Sequence, residues 1–243
     1  DEHYVLNGEK YLVDFEYMGQ EVTTVNIDCG QFENELKRGK IEGIKVNESD
    51  EPLENALFGL FQTDCTEPVE SNAIMTAISD ETGYFAFDEV PYGEYIVKEI
   101  EAPTGYILSE EGYLMTISED GEIVGITAEN KPITIEISKQ DVYGEELSGA
   151  EMELINSDEE TVEKWTSDGT NHVVTELPAG DYTLIEIAAP DGYVIATDIS
   201  FTVDVYGNVT VENVDAIAVS EDGNPLIVMV DDTTKVRISK QDI

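Results

Sequence analysis

Stretches of this 243-residue chain recur in the same order. Val90-Pro91-Tyr92-Gly93-Glu94-Tyr95 is followed by Glu99, Ala102-Pro103 and Gly105-Tyr106. Leu177-Pro178-Ala179-Gly180-Asp181-Tyr182 is followed by Glu186, Ala189-Pro190 and Gly192-Tyr193. Lys45 precedes Ala56 by the interval that separates Lys139 from Ala150, and Ile137-Ser138-Lys139-Gln140-Asp141 returns as Ile238-Ser239-Lys240-Gln241-Asp242. Co-linear matches of this kind mark one supersecondary unit used repeatedly. They divide the chain into a unit over 38–132, a second over 133–232 and the start of a third at 233–243. Residues 1–37 read as the end of a preceding repeat, because Tyr4, Leu6, Tyr11, Leu12 and Gly19 align at constant offset with Tyr106, Leu108, Tyr113, Leu114 and Gly121.

Within each unit the pattern is β. Ile133–Ile137, Tyr182–Ile187, Ile199–Val205 and Val209–Val211 are short runs rich in β-branched and aromatic residues and bounded by turn residues. Such runs predict antiparallel β-sandwiches in tandem, joined without a low-complexity linker. One helix is expected over Glu67–Ala73, with Thr66 as its cap and Pro68 in its first turn.

Composition removes several function classes. Twelve Lys+Arg against 54 Asp+Glu leave a formal net charge of −42. That repels phosphate backbones and anionic lipid heads, so neither nucleic-acid nor membrane-surface binding is expected. No apolar run approaches the ~20 residues of a spanning helix. Two isolated histidines, His3 and His172, weaken His-dependent catalysis and metal ligation. No calcium-loop motif is present, and neither a metal nor a cofactor is expected. Cys29 and Cys65 allow one bridge or two separate thiols. The chain starts at Asp1 without a signal-peptide pattern and reads as a piece of a longer protein.

Strand parity places ionisable residues where a core should be, since alternate side chains share a face. Lys139 falls with Ile135 and Ile137, leaving Glu136 and Ser138 for the wet side. Glu186 falls with Tyr182 and Leu184, and Asp231 with Ile227 and Met229. In the first unit Glu99 follows Tyr95 and Val97, and Asn130 follows Val124, Ile126 and Ala128. Lys45 is ambiguous: Ile41 and Gly43 share its face, whereas Ile44 and Val46 point the other way. A bulge or a strand buried on both faces would reconcile them. Buried alone, any of these groups would cost several kcal/mol, so they are expected to meet.

The motifs resemble those of CnaB-type (SpaA-like) domains of Gram-positive adhesins and pilins. In the second unit they stand as Lys139, Leu147-Ser148-Gly149-Ala150-Glu151-Met152-Glu153-Leu154, Pro178–Tyr182 and Tyr182–Tyr193. This unit is especially similar to the fibronectin-binding-protein domain split into SpyCatcher and SpyTag. The similarity lies in Trp165-Thr166-Ser167-Asp168-Gly169, Glu186–Tyr193 and Ile227-Val228-Met229-Val230-Asp231. The first unit departs, with Leu53-Glu54-Asn55-Ala56 in place of Leu-x-Gly-Ala and extra residues over 62–72. The resemblance implies a reverse-immunoglobulin, prealbumin-like sandwich that forms an intramolecular isopeptide bond. Lys139 would be the nucleophile, Asp231 the electrophile and Glu186 the proton shuttle; in the first unit these roles fall to Lys45, Asn130 and Glu99.

It further implies a stalk segment of an extracellular adhesin or pilin at the cell wall, with neighbouring repeats as partners and single-turnover self-processing in place of enzymatic catalysis. Asn34 and Lys240, lacking partners in this chain, are expected to stay unreacted. Two alternatives remain open: a module binding a host protein or glycan through the 62–72 loop or Trp165, and an accessory domain of a secreted enzyme.

Overall fold

A computed structural model describes residues 2–5, 8, 12–14, 19–20 and 34–235. Leu6, Tyr11, Cys29 and Lys240 lie outside them. The first unit contributes β1 (Arg38–Asn47), β2 (Leu57–Gln62), β3 (Met75–Ile78), β4 (Tyr84–Pro91), β5 (Gly93–Glu101), β6 (Gly112–Ile117) and β7 (Ile123–Asn130). The second contributes β8 (Ile135–Asp141), β9 (Ser148–Asn156), β10 (Thr161–Asp168), β11 (His172–Val174), β12 (Gly180–Ala188), β13 (Tyr193–Val194), β14 (Ile199–Val203), β15 (Val209–Val211), β16 (Ile217–Val219) and β17 (Pro225–Thr233). In the first unit a β4-β1-β7 sheet faces a β3-β2-β5-β6 sheet. In the second, β11-β8-β17-β13 faces β10-β9-β12-β14-β15, with β16 on β17. The expected all-β tandem sandwich is what forms.

One pairing in each unit departs from the antiparallel pattern. The closing strand returns beside the opening strand and runs parallel to it, β7 on β1 and β17 on β8. Because the partners lie in the two halves of a unit, this contact comes from tertiary closure and not from a hairpin.

Each sandwich has its own apolar core. Ile41, Phe58, Leu60, Phe85, Phe87, Val97 and Ile117 fill the first; Ile135, Ile137, Met152, Leu154, Leu184, Phe201, Ile227 and Met229 fill the second. Phe58 and Phe85 stack with centroids 3.9 Å apart. The Pro-x-Gly-x-Tyr repeat has a local cause: the Tyr95 hydroxyl donates to the Pro91 carbonyl at 2.9 Å, and Tyr182 does the same to Pro178 at 2.6 Å. Each tyrosine thereby buries its ring while its polar tip stays satisfied. Asn55 replaces the usual glycine without changing the turn. It takes a left-handed conformation, φ 67, as Gly149 does at φ 94, and asparagine tolerates that region better than most residues.

Three expectations are corrected. The helix over Glu67–Ala73 is only a 3-10 turn, Glu70–Asn72, with Val69 at its cap position and no side-chain cap. None of its residues is buried, so no packing offsets the cost of helix nucleation. Glu136 and Ser138 are buried, at 6% and 0% exposure. Asn171 and Asn224 donate to Glu136 from neighbouring loops, and Ser138 donates to Glu146. Strand β8 also begins later than expected, because Ile133 instead pairs with Gly105 and Leu177 through its backbone.

Lys45 needs no bulge at its own position. Ile41, Gly43 and Lys45 form the core face of β1; on the other face Ile44 is 39% exposed but Val46 is buried at 7%, so the end of the strand is covered on both faces. Gly43 leaves room for the Phe85 ring; a Cβ there would lie 2.4 Å from its Cζ. Cys65 is a free thiol donating to the Glu67 carbonyl.

Candidate functional site

The parallel pairing of first and last strands sets the geometry of both polar clusters. Lys45 stands opposite Ala128, and Lys139 opposite Met229. Asn130 and Asp231 each lie two residues further along the closing strand, so they share the lysine's face, diagonally ahead of it. The facing sheet supplies the third member, Glu99 on β5 and Glu186 on β12. Both glutamates stand beside an irregularity in pairing with the adjacent strand, β2 in one unit and β9 in the other. Such bulges re-aim a side chain.

All six sequence-selected residues are therefore brought together, three in each unit, and all are buried. Lys45 is wholly inaccessible and Lys139 is 3% exposed. The Lys45 Nζ lies 3.5 Å from Glu99 Oε1, and the Lys139 Nζ 3.1 Å from Glu186 Oε1. Lys139 Nζ also contacts Asp231 Oδ1 directly. In the first unit Asn130 Nδ2 donates to Glu99 Oε2 at 2.8 Å and to the Ile107 carbonyl at 2.5 Å. Lys45 Nζ, Asn130 Oδ1, Asp231 Oδ2 and the Oε1 atoms of both glutamates make no hydrogen bond. Apart from Glu146 Oε2, every unpaired buried side-chain atom of the described residues lies in one of these two clusters, and buried polar atoms left unpaired in a native core call for a functional explanation.

Burial sets the electrostatics. It pushes the Lys45 ammonium below the ordinary lysine range, against the opposing charge of Glu99. It pushes the Asp231 carboxyl up; Lys139 opposes that shift and Glu186 adds to it. An amine that sheds its proton acquires a nucleophilic lone pair, and an acid kept neutral becomes an acceptable electrophile.

Two contributors carry no side-chain signature. The Ser109 amide donates to Glu99 Oε2 at 2.9 Å, and the Ala196 amide to Glu186 Oε2 at 2.6 Å. Each follows its Gly-Tyr turn by the same step, and that spacing is the only trace in the sequence. Asn34 is exposed. Trp165 packs on the second core and stacks on His172 at 4.1 Å, with the His172 Nε2 3.0 Å from Glu163.

The family model of the SpaA prealbumin-like fold domain matches residues 39–132 and again 133–216. Among solved structures, the Bacillus anthracis TIE protein is 25% identical over 82% of this chain, with a TM-score of 0.47; this chain spans 35% of its length. A C-terminal fragment of the pilus adhesin SpaC from Lactobacillus rhamnosus GG is 20% identical, covering 84% of this chain and 100% of the fragment at TM-score 0.46. A streptococcal ancillary pilin is 20% identical, covering 89% of this chain and 68% of its own at TM-score 0.37. No curated protein sequence matches. The chain belongs to the SpaA family of prealbumin-like fold domains and carries two of them in tandem.

Proposed function

We propose that the chain is a structural stalk segment of a Gram-positive cell-surface adhesin or pilin-like protein, each unit closing its own isopeptide bond without outside help. The observation that carries this reading is the buried lysine and acyl side chain on parallel first and last strands, in the same register in both units, with a buried glutamate meeting them from the facing sheet. The family setting supports extracellular placement and neighbouring repeats as partners.

In the second unit, Lys139 passes a proton to Glu186, and the freed amine attacks Cγ of neutral Asp231. A C–N bond forms, a C–O bond breaks and water leaves; one proton remains on Glu186, so the site ends neutral. In the first unit Lys45 attacks Asn130, the Cγ–Nδ2 bond breaks and ammonia leaves, with Glu99 as the proton carrier. Folding supplies the proximity, and effective molarities of about 10⁵–10⁸ M are reached by well-oriented intramolecular reactions. Each site reacts once, so this is self-processing.

The closed bond changes how load travels. Tension entering at Arg38 and leaving after Asn130 shears β1 along β7, whose register runs from Lys40–Ile123 to Asn47–Asn130. A covalent Lys45–Asn130 link carries that load directly.

Intact mass tests the proposal. The folded chain should be lighter than its sequence by one water plus one ammonia. Lys139→Ala should retain the water and Lys45→Ala the ammonia. A folded chain of unshifted mass overturns the reading.

A further inference from the structure

Resting on that reading, we propose that Ile107 is a positioning residue for closure of the first unit and that it ties this closure to the docking of the second unit. Residues 105–109 lie between the two. Toward the second unit, Gly105 packs so tightly on the Glu176 backbone that a Cβ would sit 2.4 Å from its carbonyl oxygen. The Tyr106 hydroxyl donates to Glu176 Oε1 at 3.0 Å, and the Leu108 amide donates to the Val205 carbonyl at 2.9 Å. The Ile107 side chain packs against the second unit's core, above Gly207. Toward the first unit, the Ile107 carbonyl holds Asn130 Nδ2 and the Ser109 amide holds Glu99. One residue thus has its side chain in one domain and its carbonyl on the leaving group of the other.

The chemistry explains why this site needs such a clamp and its counterpart does not. A carboxyl has two interchangeable oxygens, and either can leave as water. An amide can leave only from its nitrogen. The Ile107 carbonyl and Glu99 Oε2 together accept both Nδ2 hydrogens, which aims the nitrogen at its proton source. A flipped amide would set Oδ1 against two acceptors. In the second unit the residue equivalent to Ile107 is Val194, and it is 49% exposed; there the acyl residue is Asp231, which has no amide to orient.

The junction geometry recurs along the chain. Ile133 donates to the Gly105 carbonyl at 2.8 Å, Lys37 to His3 at 2.9 Å and Thr234 to Gly192 at 2.8 Å. Among the described residues, the junction between the two domains is the one where the turn also grips an asparagine that the fold aligns with a buried lysine.

The test follows closure over time by intact mass in full chains synthesised in vitro and quenched in acid. Four forms are compared: wild type, Ile107→Ala, Asn130→Asp and the double variant. Ile107→Ala should slow ammonia loss by about tenfold to a hundredfold, the penalty of a small misplacement. Water loss from the second unit should keep its rate, which also certifies that this unit has folded. Asn130→Asp alone and the double variant, in which both units lose water and the first is followed by its cross-linked peptide after digestion, should close their first unit at equal rates, because a carboxyl needs no orientation. Equal ammonia-loss rates in wild type and Ile107→Ala would overturn the coupling, as would equal slowing of the Asn and Asp forms. Absence of ammonia loss in wild type would instead overturn the isopeptide reading of the first unit.

Discussion

Asp231→Ala separates the covalent link from the packing around it. The substitution removes the acyl carbon but leaves Lys139 3.1 Å from Glu186, so no buried charge is stranded. Lys139 and Asp231 are 92 residues apart in sequence. Treated as a cross-link closing a loop of that length in the unfolded chain, the bond restricts it by about 4–5 kcal/mol. At about 4–8 °C per kcal/mol for a domain of this size, the second unit should melt about 20–35 °C lower in the variant. Scanning calorimetry of the full chain reads this with the first unit as internal reference. Asp231→Asn is the control: it closes by losing ammonia, giving a product covalently identical to closed wild type, with the same mass and the same melting temperature. The reasoning fails if wild type has lost its water yet melts within about 5 °C of Asp231→Ala, a gap worth ~1 kcal/mol.

Three further outcomes are expected. Glu186→Gln should slow water loss by about 10²–10⁴-fold, the usual contribution of a positioned proton carrier, leaving ammonia loss from the first unit unchanged in the same mass spectra. Gly43→Ala should destabilise the first unit by about 1–3 kcal/mol, because its Cβ competes with the Phe85 ring; denaturant titration reads this, and the second unit should be unaffected. Asn130→Ala should leave Lys45 a buried free amine whose folded pKa lies below 10.5. Between those two values the unfolded state binds more protons, so the stability of the first unit should rise with pH up to the ordinary lysine value. Denaturation midpoints that are flat or fall over that range would contradict the assigned burial effect.

What the sequence discloses and what it hides divide along a physical line. Lys139, Glu186 and Asp231 are legible because strand parity is local: each alternates with residues that enter the second core. Lys45 is harder to read because its face-mate Gly43 is apolar only by virtue of a ring arriving from β4. Glu136 is misread for the same kind of reason, its cover coming from Asn171 and Asn224 elsewhere in the chain. Burial opposes its charge, yet hydrogen bonds from Ser220, Asn171 and Asn224 hold its carboxyl below the usual range. The parallel pairing of first and last strands is equally hidden, since no local pattern encodes a contact across a whole unit. The deepest omission is of backbone groups. The Ser109 amide and the Ile107 carbonyl orient Glu99 and Asn130, and every non-proline residue owns such groups, so residue identity marks neither. Side-chain chemistry therefore locates a reactive site from sequence alone, whereas the direction in which its leaving group points is written in the path of the chain.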